Sequence, residues 1–83
     1  MLAMEHVRRL TALIEREDGN RGESGYVAIC PEVDIASQGS TIEEARTNLI
    51  EALTLFFESA DPSEIKRRLR PEIFITQVDI RVA

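Results

Sequence analysis

The stretch that decides the fold is SQGSTIEEARTNLIEALTLFFE, residues 37–58. Two overlapping capping boxes follow its turn-like Ser-Gln-Gly: Ser40 with Glu43, and Thr41 with Glu44. In each box a hydroxyl oxygen and a carboxylate satisfy N–H groups that a first helical turn leaves free. The apolar residues beyond them recur at helical spacing: Ile42, Ala45, Leu49, Ala52, Leu53, Phe56 and Phe57. The pattern predicts an amphipathic helix over residues 41–59 that covers a sheet with its apolar side.

The segments before this helix predict the strands of that sheet. Residues 25–30, GYVAIC, are rich in β-forming residues, and residues 33–39 form a short strand that ends in glycine. Residues 8–16 fit a strand or a helix by periodicity alone. We favour a strand that pairs with residues 25–30 in a hairpin, because residues 17–24 between them have the glycines, asparagine and charges of a loop.

The chain after the helix predicts one more strand. Pro62 ends the helix, and residues 63–70 fit a short helical turn that Pro71 closes. Residues 73–82, IFITQVDIRV, alternate with one consistently apolar side, which is typical of a strand covered on one face. The predicted architecture is therefore α+β: strand-strand-strand-helix-strand, a small antiparallel sheet covered on one face by one main helix, in a single domain over residues 1–83.

Length and composition set the class of protein. The chain has 83 residues with 43% apolar residues, and area scaling predicts that such a fold exposes roughly 5,000 Å². Its single cysteine excludes an internal disulfide and a multi-cysteine zinc site. There is no apolar run of about 18 residues and no signal-peptide pattern. We expect a soluble cytoplasmic protein without a cofactor.

Charge is concentrated in the middle of the chain. Residues 23–64 contain nine acidic residues against one basic residue, Arg46, which gives a net charge of −8. Residues 65–83 contain five basic and two acidic residues, and the whole chain has a net charge of −5. An acidic centre repels a phosphate backbone and attracts a basic partner, although such residues also simply keep a small protein soluble.

The residues that usually carry catalysis are sparse. His6 is the only histidine and has no motif around it, so we interpret it as a surface residue. Cys30 ends a predicted strand, where a small buried residue is commoner than an activated thiol. No glycine loop with phosphate-binding spacing is present. These observations predict a protein that is not an enzyme.

Two charged groups have alternative functional interpretations. Glu32 and Asp34 lie on one side of an extended segment, and Glu43 or Glu44 could approach them in a two-metal site. Capping and a solvated face explain the helical glutamates better than a metal site does. The basic run KRRLR, residues 66–70, lacks interleaved aromatic residues, so a solvated face or pairing with the helix is favoured over nucleic-acid binding.

Residues 25–58 resemble the HicB-like antitoxin family. The resemblance depends on an ordered set of short motifs: Tyr26-Val27-Ala28, Pro31-Glu32, Ser37-Gln38-Gly39, Thr41, Glu43-Glu44-Ala45, Asn48 and Glu51-Ala52. Residues 33–36, Val-Asp-Ile-Ala, depart from the Leu-Pro-Gly-Cys turn that many members have.

The resemblance implies a partial ribonuclease H-like fold that generally lacks nuclease activity. Family members bind and mask a small basic toxin that cleaves mRNA, and many also have a C-terminal DNA-binding domain. Because this sequence stops at Ala83 after its last predicted strand, it looks like a short form, and we do not expect it to bind an operator by itself.

The expected function is thus a non-enzymatic antitoxin-type protein whose acidic residues attract the toxin: Glu32, Asp34, Glu43, Glu44 and Glu51. One alternative is a free-standing homo-oligomeric module of the same fold, a dimer or tetramer assembled through edge strands or the helix. Another is a residual metal-dependent nuclease that uses Asp34 or Glu32. We expect homo-oligomers, and no association with a membrane.

Overall fold

The computed structural model describes residues 7–18 and 24–83 of the chain. Within these ranges the elements are β1 (Leu13–Asp18), β2 (Ser24–Cys30), β3 (Ile35–Gly39), α1 (Ile42–Ser59) and α2 (Pro62–Arg68). The three strands form one antiparallel sheet in the order β1-β2-β3, and α1 packs on one face of it, mainly over β2 and β3. The predicted α+β class, with a small sheet under one main helix, is confirmed.

The predicted hairpin is also confirmed, with shifted boundaries. β1 pairs with β2 from Leu13 opposite Ile29 to Asp18 opposite Ser24. The first strand therefore starts at Leu13 rather than at residue 8, and most of the predicted loop, residues 19–23, lies outside the described ranges. Residues 7–12 precede the strand as a segment without regular structure, although Leu10 packs against the core.

Helix α1 begins at the second of the two predicted capping boxes. The Thr41 hydroxyl accepts a hydrogen bond from the Glu44 N–H at 3.0 Å, and the Glu44 carboxylate accepts one from the Ser40 N–H at 2.8 Å. These bonds satisfy N–H groups at the helix start, which explains why the helix begins at Ile42. The helix dipole also favours the two glutamates of its first turn.

The core is small, and the small residues in it let α1 lie close to the sheet. Its fully buried members are Ala28, Cys30, Val33, Ala45 and Leu49. A larger ring of half-buried side chains, including Ile14, Tyr26, Phe56 and Leu69, surrounds them. Gly39 sets the closest approach, since a Cβ there would lie 2.5 Å from the Ala45 backbone nitrogen.

The C-terminal segment differs from the prediction. Residues 73–82 do not join the sheet, and residues 73–83 have no regular secondary structure; we call residues 73–83 the C-terminal arm. Alternating apolar residues indicate that a segment can form a strand, but they do not specify the strand with which it pairs. The exposed surface is 7468 Å², well above the roughly 5,000 Å² expected for a compact chain of this mass.

Replacing Gly39 with alanine should destabilise the fold by about 1–3 kcal/mol, because the added methyl group forces α1 away from β3. The urea midpoint of unfolding measures the loss. Gly25→Ala is the matched control, since its Cβ would lie at 3.2 Å from the Gly39 carbonyl oxygen and demands only a small shift. Equal midpoints for the two variants would contradict this account of the helix–sheet contact.

Candidate partner-binding surface

One exposed side of α1 is acidic. Its glutamates are Glu43, Glu44, Glu51 and Glu58, all exposed. At 3.6 residues per turn they fall within an arc of about 100°, with Thr47 and Thr54 between them. Arg46, the basic residue of the helix, lies outside this arc. The structure thus brings three of the predicted partner-binding residues, Glu43, Glu44 and Glu51, onto one surface, which we call the acidic face.

Glu32 is not part of this surface. Its side chain is only 8% exposed. One carboxylate oxygen accepts hydrogen bonds from the Thr11 N–H at 2.9 Å and the Thr11 hydroxyl at 2.7 Å, while the other accepts one from the Cys30 thiol at 3.4 Å. The prediction that Glu32 attracts a partner from an exposed position is therefore wrong, because its carboxylate is used inside the fold.

These contacts change the acidity of both Glu32 and Cys30. Burial alone would raise the pKa of the Glu32 carboxyl, but the hydrogen bonds it accepts, chiefly from the Thr11 side chain, lower that pKa below its ordinary 4.5. Burial, together with the neighbouring carboxylate, raises the pKa of the Cys30 thiol. Cys30 is fully buried, so its protonated thiol behaves as a small core residue, as the sequence suggested.

Asp34 lies at the other end of the sheet from the start of α1. It occupies the β2–β3 turn with φ of 58°, a left-handed conformation that aspartate tolerates better than most residues. The five residues of β3 separate it from the helix start, a span of roughly 16 Å. Asp34 therefore does not join Glu43 and Glu44. Among the described residues no group of three or more His, Cys, Asp or Glu side chains is placed to hold a metal ion.

The basic run is divided between the surface and the fold. Lys66, Arg67 and Arg70 are exposed. Arg68 instead lies over the Phe56 ring, 5.1 Å from its centroid, and donates a hydrogen bond to the Val33 carbonyl at 2.8 Å. Arg68 thus attaches α2 to the β2–β3 turn, a structural role that the charge pattern alone did not indicate.

An apolar groove lies beside α1, on the side of the N-terminal segment. Its volume is about 640 Å³, and its apolar lining consists of Leu10, Ala12, Leu49, Ile50, Leu53 and Phe57. Arg8 flanks it with its guanidinium 5.6 Å from the Phe57 ring centroid. The groove was not predicted from the sequence. One signal was available: Ile50 is apolar but lies outside the predicted core stripe, and it is 46% exposed.

Comparisons with known proteins gave no relative. No protein-family model, curated protein or solved structure matches the chain.

His6 lies outside the described residues. In the part of the chain that the structure describes, neither helix has the length and apolar character needed to cross a membrane.

Glu32→Gln should lower the free energy of unfolding by about 1–3 kcal/mol near pH 7, because an amide leaves one of the converging donors without an acceptor. A carboxyl with a depressed pKa stabilises the fold above its unfolded pKa, and this contribution disappears as the pH falls through the folded pKa. The difference between wild type and variant should therefore shrink from about pH 7 to about pH 3.

Urea unfolding at both pH values measures this difference. Glu51→Gln is the control, since Glu51 is exposed on the acidic face and its replacement should change stability little. A Glu32→Gln deficit that is the same at both pH values would contradict the charge-based explanation.

Proposed function

We propose that this protein is a non-enzymatic, HicB-like antitoxin-type protein that binds and masks a small basic mRNA-cleaving toxin. The observation that carries the proposal is the acidic face of α1. Its glutamates project from a helix that is capped at its start and packed on a sheet, so the carboxylates are presented without loss of backbone freedom on binding. The ordered motifs of residues 25–58 supply the second argument.

The acidic face fits the chemistry of such a partner. A ribonuclease that binds mRNA must present lysine and arginine side chains to phosphates. Glu44 and Glu51 are seven residues apart, so two turns of helix place their Cα atoms about 10.5 Å apart along the axis. A row of carboxylates on a rigid rod competes with the phosphates of RNA for the same basic side chains. The charges mainly accelerate association, and apolar contacts around them hold the complex.

A second function, a homo-oligomeric module of the same fold without a toxin, is favoured by a different observation. The C-terminal arm exposes large apolar residues, including Phe74 and Val82. Exposed apolar segments of this kind usually mark a protein–protein contact.

The residual-nuclease alternative receives no support from the carboxylates on which it depends. Glu32 is buried and bonded to Thr11 and Cys30. Asp34 is at the opposite end of β3 from Glu43 and Glu44. The acids that would have to converge on metal ions are therefore separated.

Affinity capture of the tagged chain from its native cells tests the masking function. The expected result is co-purification of a small basic protein that cleaves mRNA when isolated, and whose cleavage stops when the chain is added back at an equimolar amount. A captured protein that cleaves RNA equally well with and without the chain would overturn the proposal.

Charge reversal on the acidic face should slow the association with that toxin. Glu43→Lys combined with Glu51→Lys should reduce the association rate several-fold at low salt, and the difference should disappear near about 0.5 M salt, where the screening length is short. Stopped-flow mixing measures both rates.

The control variant is Glu15→Lys combined with Glu17→Lys, which makes the same change in net charge on exposed residues of β1. Circular dichroism confirms that α1 is retained in both variants. If both double variants slow association equally, net charge rather than the acidic face attracts the partner.

A further inference from the structure

The C-terminal arm carries a strand pattern that is left exposed. Alternate residues on one side are apolar and in water: Phe74 is 88% exposed, Val78 73%, Ile80 71% and Val82 81%. The opposite side becomes polar toward its end, with Gln77, Asp79 and Arg81. Water disfavours these four large apolar side chains, which share one side of the arm with Thr76, and the period of two means that a single docking surface can bury them all.

The same chain also has an exposed apolar surface, the apolar groove. The apolar groove runs between α1 and residues 8–12. Helix α1 sits mainly over β2 and β3, so it leaves the β1 side of the sheet partly uncovered. In the described residues no strand pairs with the outer edge of β1. A groove lined by apolar side chains beside an unpaired strand edge is a surface that accepts an added strand.

The arm leaves the domain next to this groove. The Arg70 N–H donates a hydrogen bond to the Glu32 carbonyl oxygen at 2.7 Å, and the Glu32 carboxylate binds Thr11, which lines the groove. Pro71 then favours an extended backbone at Arg70, which directs the chain away from α2. The base of the arm thus lies near the groove, while most side chains of the arm are exposed.

We propose that two copies of this chain exchange their C-terminal arms, each arm lying in the apolar groove of the other copy and adding a strand along the outer edge of its β1. The side with Phe74 and Val78 covers the groove, and the opposite side, which carries Ile75 at its start and polar residues toward its end, faces water. Exchange of identical elements gives a closed two-fold dimer in which both contacts are the same. This inference does not depend on the proposed toxin.

The arm is long enough for both parts of its docking surface. Ten extended residues, 73–82, span roughly 33 Å, which exceeds the roughly 20 Å of strand edge in the six residues of β1 and leaves length for the groove beside residues 8–12. The radius of gyration is 16.0 Å, above the roughly 12 Å of a compact chain of this length, as expected where a segment extends from the body.

Area and charge favour a second copy as the occupant. The chain exposes 7468 Å², an excess of roughly 2,500 Å² over a compact chain of its mass, and a specific dimer interface buries roughly 1,200–2,000 Å². Two copies of a chain with net charge −5 repel each other, but residues 73–82 carry one acid and one base, Asp79 and Arg81, and so add nothing to this repulsion.

Light scattering of the purified full-length chain tests the exchange. The wild type should have twice the chain mass of 9.4 kDa at about 100 µM, well above the micromolar range in which such an interface dissociates. Val78→Asp combined with Ile80→Asp should give a folded monomer. Gln77→Asp combined with Arg81→Gln makes the same charge change on the opposite side of the arm and should remain a dimer. A monomeric wild type, or a dimer that survives Val78→Asp with Ile80→Asp, would overturn the proposal.

The groove has its own matched pair of variants. Ile50→Glu places a charge in the groove and should give a monomer, whereas Leu55→Glu changes an exposed apolar residue of the same helix outside the groove and should leave the dimer intact. Mixing the arm variant with the groove variant should restore part of the dimer, since one intact arm then meets one intact groove. If Leu55→Glu rather than Ile50→Glu dissociates the dimer, the docking surface is elsewhere.

A crosslink distinguishes exchange of arms between two copies from an arm that folds back onto its own chain. A chain with Ile50→Cys and Val78→Cys, treated with a short bis-maleimide, should form a covalent dimer on a denaturing gel, while the buried Cys30 stays unmodified. An internally linked monomer would show that the arm covers its own groove, and no link at all would show that arm and groove do not meet. Either result overturns the proposal and leaves the toxin-masking function untouched.

Discussion

Glu32 joins parts of the chain that are far apart in sequence. Its carboxylate binds the N–H and hydroxyl of Thr11 and the thiol of Cys30, and its carbonyl oxygen accepts the Arg70 N–H. The segment before β1, the end of β2 and the segment after α2 are therefore held together at one residue. A buried carboxylate is stable only when its oxygens are satisfied, so these contacts depend on one another. Loss of any one of them leaves a buried polar group without its partner.

Helix α1 has three different surroundings. Ala45 and Leu49 face the small core, the acidic face meets water, and the side with Ile50 borders the apolar groove. The acidic face and the groove adjoin each other, since Glu58 belongs to the acidic face and also lines the groove. The proposed toxin contact and arm exchange would therefore share a border at Glu58, whereas Glu43, Glu44 and Glu51 lie outside the groove lining.

The local elements could be predicted from the sequence because their signals are local. The capping box at Thr41 located the start of α1 within one residue, and the glycine-rich loop correctly separated the arms of a hairpin. The destination of residues 73–82 could not be predicted, because alternation is the same whether a strand pairs within its own chain or with another. The prediction for Glu32 failed for a related reason: a glutamate beside a turn resembles a surface residue until the donors that surround it are known.

Only part of the candidate partner-binding surface could be predicted from the sequence. Glu43 and Glu51 follow from helical spacing, which fixes their side of the helix once the apolar stripe is known. Asp34 seemed close to them along the chain, yet an entire strand separates them. The groove depends on where residues 8–12 lie against α1, a tertiary contact that leaves almost no trace in either segment by itself.

The exposed arm also has a consequence for how long the protein survives in a cell. Peptidases bind their substrates as extended chains, so we expect digestion to begin in a segment that is exposed and has no regular secondary structure. If two copies exchange their arms, dimerisation protects this segment, and peptidases digest the arms of monomers. A higher rate of synthesis then raises the fraction of chains in dimers and lowers the degradation rate per chain. The abundance of the protein therefore rises more steeply than in proportion to its expression.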